Sequence, residues 1–578
     1  MNKETKIMAM LLVLALCAAA QADELLVPAE YPTIQAAIDD CNDGDTVIVA
    51  DGTYTGPGNR DIDFRGKAIT VRSESGPENC IIDCNGTETD PHRGFYFHNT
   101  EDATPVLDGF TIVNGYGPDE TLEFDGHVFM LKVGGAIFCN SSSPAIINCT
   151  ISDNFAQHGG AIFSWESNPT ITNCEITGNS AGSSGGIDFV RSSPTITNCT
   201  ITENEGGGIY CYRSSAVITD CIFTGNTAMT GGAINCYLSS LIIVNCTITS
   251  NKAWDGGGIW FAFSNMTITN SRITGNKARV GGAICCSSDS TATISNSTVT
   301  GNMSGRPPDF KDGGIYWSGE SNLQIKNCIL WDNGMEINAS WEATVTVTYT
   351  DIQQSWQGQG NIDADPLFLD PGYWDVNDLW VDGDYHLLPD SPCVDTGDPN
   401  YVAEPSQTDL DGNPRARGYA IDMGAYETII HEARLLILPR VINRKSSKPR
   451  IMAWVRLPQG ITKDQIDADP ALVLYPGGIK AIRQFVIPNR RRGSQRVSIF
   501  AVFDKAELMD AIPANGRVEL QVLGRLRQPG QYFSGSDTIR IIPRPSKPQP
   551  QRKTDCFKAS KIKPRGLELK KLPALFCD

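Results

Sequence analysis

Two sets of side chains in this sequence could do chemistry, and both recur at a fixed distance from a short glycine word. Gly-Gly-Ile or Gly-Gly-Ala-Ile returns along the chain, with its isoleucine at Ile137, Ile162, Ile187, Ile209, Ile234, Ile259, Ile284 and Ile315, in steps of 25, 25, 22, 25, 25, 25 and 31 residues. If each isoleucine faces inward on a strand, the residues one and three beyond it face outward. Those two columns are rich in rings where Thr, Ser and Lys would be expected. Phe163, Trp165, Tyr210, Tyr212, Tyr237 and Trp260 lie beside a Gly or Ala that would leave a strip of bare backbone. The apolar faces of sugar rings stack on such a stripe, so these six are the candidate glycan-binding residues. Glu166, Asp188, Arg191 and Arg213 come from neighbouring repeats on the same face and are the candidate catalytic set. Two blander readings compete. The rings could stack on one another between repeats or lie under the segment 115–131, and the charges could form a solvated face. If the isoleucines faced outward, the stripe would be core.

The elements that must position these residues are short. Each repeat holds three runs rich in Thr and Ile, such as TITN, CTIT and GGIY, bounded by Asn, Gly or Ser-Pro. These are strand and turn signals, with no helical period. Three strands in about 25 residues cannot close a core alone, but stacked at ~4.8 Å they form a continuous one. A parallel β-helix follows. Asn148, Asn173, Asn198, Asn245, Asn270, Asn296 and Asn327 share one position, with Asp220 as the substitute, and suit a tight corner whose amides bond between rungs. The next position reads Cys149, Cys174, Cys199, Cys221, Cys246, Ser271, Ser297 and Cys328, small side chains fit to turn inward.

Residues 1–22 read as a secretory signal: Lys3 and Lys6, an apolar run from Met8 to Cys17, then Ala20-Gln21-Ala22. No later apolar stretch is long enough to span a membrane. Most of the 18 cysteines fall in inward columns and read as stacked thiols, with Cys80–Cys84 and Cys556–Cys577 as the expected bridges. The net charge of −18 is uneven. Residues 1–430 hold 19 Lys+Arg against 54 Asp+Glu, and residues 431–578 hold 29 against 12. The split marks a domain boundary. It argues against nucleic acid along the acidic part, and it leaves the basic end able to attach peripherally to an anionic wall or lipid surface.

Residues 25–54, LLVPAEYPTIQAAIDDCNDGDTVIVADGTY, place a short amphipathic helix at Ile34–Cys41 before a strand at Thr46–Val49. This resembles the start of pectin-lyase-like β-helices, where a helix covers the open first rung. Irregular rungs follow at Ala68–Ser73, Asn79–Cys84, Gly94–Phe97 and Leu107–Asn114. Gly115–Leu131 breaks the rhythm as a loop, with His158 in a later turn. Closing segments at 349–370, 384–399 (DYHLLPDSPCVDTGDP) and 409–427 (DLDGNPRARGYAIDMGAYE) resemble the exit of exported bacterial right-handed β-helix proteins, and the GGAI words resemble polymorphic outer-membrane-protein repeats. From Leu435, longer alternating strands with Pro/Gly turns read as an Ig-like β-sandwich, similar to C-terminal modules of exported proteins that end in Gly-Ser-Asp-Thr-Ile-Arg. The expected organisation is signal peptide 1–22, β-helix 23–430, sandwich 431–545 and a Pro/Lys-rich tail 546–578. The expected fold class is all-β, a right-handed parallel β-helix of about 11–12 rungs followed by a small antiparallel β-sandwich.

The resemblance implies a fold that carries lyases, hydrolases, esterases and adhesins alike. Polysaccharide lyases of this fold hold Ca²⁺ on carboxylates and use Arg or Lys as base. Ca²⁺ is therefore the one cofactor the reading admits, and no metal-ligating residues are assigned. The six His show no zinc spacing, no G-x-S-x-G occurs, and the carboxylate words of the fold's glycosidases are not in matching order. Asp409, Asp411 and Asn413 hint at a calcium loop, but Gln407 stands where its first Asp belongs, which favours an acidic turn. The expectation is a secreted or cell-surface protein, non-catalytic, that binds a polysaccharide or surface glycan. A pectate-type lyase and a structural stalk are the alternatives.

Overall fold

The computed structural model describes residues 22–98, 104–305, 313–404, 407–415, 420–446, 448–467, 469, 471–491 and 494–543. The signal-peptide reading of 1–22 (apart from Ala22), the tail, Cys17, Cys556 and Cys577 lie outside them.

The chain winds into a parallel β-solenoid with three long sheets. A 13-stranded sheet runs from Glu24–Val27 to Thr344–Thr348, a 12-stranded sheet from Gly52–Thr55 to Asp351–Ile352, and an 11-stranded sheet from Ile62–Asp63 to Ile337–Ala339. The glycine-word isoleucines stack directly on one another, Ile137 on Ile162, Ile187, Ile209, Ile234, Ile259, Ile284 and Ile315, and all are buried. They face inward, as the sequence phase requires. Cys139, Phe189, Cys211, Cys236, Phe261, Cys286 and Trp317, two residues on, join them in one continuous core. A helix at Ile34–Asp40, N-capped by Thr33, buries Ile34, Ala37 and Ile38 against the first rungs. It covers a strand edge that would otherwise be open.

Two asparagine columns turn the corners. The exposed one follows the first sheet. Asn148, Asn173, Asn198, Asp220 and Asn245 have φ between 52° and 55°, a left-handed corner that Asn tolerates, and their side chains bond rung to rung at 2.8–3.2 Å. The second column follows the second sheet and is fully buried. Asn154, Asn179, Asn204, Asn226, Asn251, Asn276 and Asn302 each donate an amide N–H to the oxygen of the next, ending at Asn333, at 2.9–3.1 Å. Glu336 ends this ladder, accepting from the Asn333 backbone N–H at 3.1 Å and from its amide at 2.5 Å. Burial pushes the Glu336 carboxyl up to about 7.

The cysteines of the described residues are buried free thiols, including Cys80 and Cys84. The expected Cys80–Cys84 bridge is therefore absent. Cys80 opens the strand Cys80–Asp83 and Cys84 follows it, so extended geometry puts their Cα atoms about 13 Å apart, roughly twice the reach of a disulfide.

After the last rung the chain folds back along the corner formed by the later asparagines. Arg415, fully buried, donates to Asn270 Oδ1, the carbonyls of Asn296, Gly424 and Ala425, and Glu427 Oε1, all at 2.9–3.1 Å. Asp398 N–H donates to Asn327 Oδ1 at 2.8 Å, and Asn296 Nδ2 to the Tyr401 hydroxyl at 3.1 Å. Asp409 Oδ1 accepts the backbone N–H groups of Asp411 and Asn413, and Asp411 Oδ2 meets His386 Nε2 at 2.6 Å. These carboxylates close a turn.

A second compact unit begins at Glu432. It contains a four-stranded antiparallel sheet of Arg434–Leu438, Arg450–Arg456, Ser494–Asp504 and Arg483–Arg491, in that order. A second sheet includes Val473–Tyr475, Gly516–Arg525 and Gln531–Ile542. One helix, Lys505–Ala511, is capped by Asp504, which accepts the N–H groups of Ala506 and Glu507.

Candidate functional site

The ring-bearing columns sit on the outer face of the 11-stranded sheet. Phe138, Phe163, Asp188, Tyr210, Asn235 and Trp260 align in one, and Asn140, Trp165, Val190, Tyr212, Tyr237 and Ala262 in the other. The glycines before the isoleucines do not form the bare strip expected of them. Gly232 and Gly257 are buried, and a Cβ on either would meet the next rung's carbonyl oxygen at 2.3 or 2.4 Å. They permit a close approach of one rung to the next, and the exposed surface belongs to the outward side chains instead.

The segment read as a loop over 115–131 is a β-hairpin, Asp119–Phe124 paired with His127–Lys132. It lies across the lower half of the face. Leu122, Leu131 and Phe124 pack with Phe138, Phe163, Trp165 and Val190, so Phe163 and Trp165 are buried although they point away from the solenoid core. Phe124 meets Trp165 edge-on at 5.8 Å and Tyr212 at 5.6 Å. At one end of the hairpin, buried Arg93 pairs with Glu120 at 2.8 Å. At its tip, Asp125 pairs with Arg191 and, at 2.9 Å, with Arg213. The two guanidinium carbons stand 4.2 and 5.1 Å from the Phe124 ring centre.

Three of the four charged candidates thus come together, but around the hairpin tip. Glu166, Arg191 and Arg213 occupy one corner column, four beyond the isoleucine, with φ near 50°. Arg191 Nη1 donates to Glu166 Oε1 at 3.0 Å, and this bond raises the Arg191 pKa. Asp188 stands apart from them. It is buried beneath the hairpin, 3.3 Å from His158 Nδ1. His158, expected in a turn, closes the strand Phe155–His158, which brings it over the same face.

Between hairpin and sheet lies a cavity of about 230 Å³. Its walls are Leu122, Phe124, Phe129 and Leu131 from the hairpin and Phe163, Trp165 and Val190 from the sheet, with His158, Asp188, Tyr210 and Tyr212 as its polar groups. Burial, then the Asp188 carboxylate, pushes the Tyr210 hydroxyl pKa up. At below the ~300–1,000 Å³ of a drug-sized pocket, the cavity admits about one ring of a longer chain. Tyr210 and Tyr212 also begin the uncovered half of the face. Tyr212 stacks on Tyr237 at 5.8 Å and 6°, and Tyr237 meets Phe263 edge-on at 5.7 Å. Tyr210, Tyr212, Tyr237 and Trp260 are all half-buried. Phe263 and the hairpin residues Leu122, Phe124 and Asp125 were not among the sequence candidates. Phe263 shares the corner column of Glu166, Arg191 and Arg213 and could have been found by extending it.

The family described as right handed beta helix region matches residues 42–248 and 229–363, together more than half of the chain. No curated protein matches it in sequence. Among solved structures it is similar to tailspike protein 3 of bacteriophage CBA120, at 13% identity and a TM-score of 0.32 over 61% of this chain and 64% of that one. It is also similar to the periplasmic alginate epimerase AlgG, at 11% and 0.31 over 54% and 77%, and to the siphovirus 9NA tailspike receptor binding domain, at 11% and 0.26 over 89% and 98%. The chain thus spans just under two thirds of the first tailspike. Likenesses at this level say nothing of what the chain binds.

Proposed function

The chain belongs to the right-handed β-helix family, and from that premise we propose that it is a non-catalytic glycan-binding protein of the cell exterior. A polysaccharide would lie along Tyr212, Tyr237 and Trp260 with one terminal ring in the cavity under the hairpin. The observation that carries this reading is the continuity of the two regions. Tyr210 and Tyr212 line the cavity and also start the half-exposed ring columns. Rings offer a sugar its stacking surface, and the half-buried Tyr210 at the cavity wall offers a hydroxyl. The lyase alternative asks Arg191 or Arg213 to act as a base. Both are tied up in ion pairs with carboxylates around the hairpin tip, which supports binding over proton abstraction.

The test is retention on gels bearing neutral and acidic polysaccharides. Trp260→Ala and Tyr237→Ala should each weaken retention about tenfold while melting stays unchanged. An ultraviolet assay for unsaturated uronate products, run with Ca²⁺ and with a chelator, gives the opposing outcome. Calcium-dependent product that vanishes in Arg213→Gln would replace this reading with a lyase.

A further inference from the structure

The four-stranded sheet of the second unit is apolar on both faces. Its inner face is core: Ile437, Ile451, Ala453, Val455, Ile499 and Ala501 are buried. A sheet with one solvated face should carry polar residues on the other. Here Leu436 lies opposite Trp454, Trp454 opposite Phe500, and Phe500 opposite Phe485, so one apolar row crosses all four strands. Leu438, Met452 and Val502 form a second row beside it. Leu436, Leu438, Met452 and Trp454 are 37–41% exposed and Phe485 is 55% exposed. A contiguous exposed patch of this kind marks an interaction surface.

Charge says what covers it. On the same outer face Arg434 and Arg456 stand opposite each other at one end of the rows, Arg450 stands at the other opposite Asp504, whose carboxylate caps the following helix, and Arg483 continues the row of Met452 and Val502. None of these four forms an ion pair among the described residues. The chain beyond adds to the sign, since residues 544–578 hold 10 Lys+Arg against 3 Asp+Glu. A second copy docked two-fold on this face would bring arginine against arginine. An apolar centre with a guanidinium rim matches a bilayer surface. Tryptophan and aliphatic side chains seat at the acyl boundary, and arginine stems reach back to phosphate.

We propose that the outer face of this sheet docks on an anionic lipid surface, taking phosphate headgroups on Arg434, Arg450, Arg456 and Arg483 and seating Leu436, Met452, Trp454 and Phe485 at the acyl boundary. The full chain should cosediment with phosphatidylcholine vesicles containing phosphatidylglycerol about tenfold better than with phosphatidylcholine alone, and less so as salt is raised. A Trp454→Ser/Phe485→Ser double variant should lose about tenfold of that partition, and Arg434→Gln/Arg456→Gln should lose its lipid selectivity. The arginine pair leaves the apolar rows intact and keeps the test open if the first variant folds poorly. Three results overturn the proposal: no binding to either vesicle, equal binding to both, or an undiminished partition in the folded serine variant. So does a dimer seen by light scattering that the serine variant dissolves, since the face would then be a protein interface. Polysaccharide retention should be unchanged throughout, which separates this surface from the one on the solenoid.

Discussion

The lower and upper halves of one sheet face carry the same kind of residue in the same columns, yet they differ in burial. Phe163 and Trp165 lie under the hairpin and are as buried as core residues. Tyr237 and Trp260, three and four rungs further on, remain half-buried and form no ring pair with the hairpin, whose Phe124 reaches only to Tyr212. Ring content alone therefore does not identify a binding surface on a solenoid. What separates the halves is an insertion that reaches only as far as Arg213. Below that limit the rings stabilise, and above it they are available to a ligand.

Four measurements would break or sharpen this contrast. Phe163→Ala should cost about 3–5 kcal/mol in urea unfolding of the solenoid, as for a buried aromatic. A loss below 1 kcal/mol would mean that the hairpin does not hold its place in solution. Glu336→Gln should act on both halves alike, because both ride on the ladder that Glu336 ends. Its folded pKa is raised by burial to about 7 from an ordinary 4.5. Its contribution is thus fully present below pH 4.5 and lost as pH rises through about 7, and the variant should flatten that stretch of the stability–pH curve. Trp260→Ala should move retention about tenfold and stability by less than about 0.5 kcal/mol, the reverse of Phe163→Ala. The smallest effect belongs to Asp125→Asn. Asp125 and its arginines are partly exposed, so their pairs contribute about 0.2–1 kcal/mol each, and the change should show as faster amide exchange in the hairpin, more marked at low salt. Unchanged exchange would leave Phe124 and Glu120 as the anchors.

Much of the fold was legible because a solenoid repeats its own instructions. Eight isoleucines in register fix the inward phase, and the phase fixes which rings point out. The hairpin was not legible, since Gly115–Leu131 lies outside the repeat and nothing local says which face it crosses. The same gap hid the partner of Arg191 and Arg213, since Asp125 is 66 and 88 residues away. The buried asparagine ladder is also written in the sequence, as the last letter of words such as TGN, TEN and TSN, although only the structure shows that these asparagines point inward. Cys80–Cys84 failed for a simpler reason. The two are near in sequence but lie along one extended strand, whose length between them exceeds the reach of a disulfide.

Arg415 gives the molecule a mechanical property. A coil of stacked rungs pulled at its last turn would peel one hydrogen-bonded rung at a time, each bond loaded alone. Here the returning segment is fastened along the side of the coil, by Arg415 to Asn270 and Asn296 and by Asp398 to Asn327. Tension arriving from beyond Glu427 is therefore shared by bonds to three different rungs at once and runs across them in shear. A protein held at its far end while a polymer drags on its face would transmit that drag through a riveted seam, and its weakest point under load would lie elsewhere than at the end of the coil.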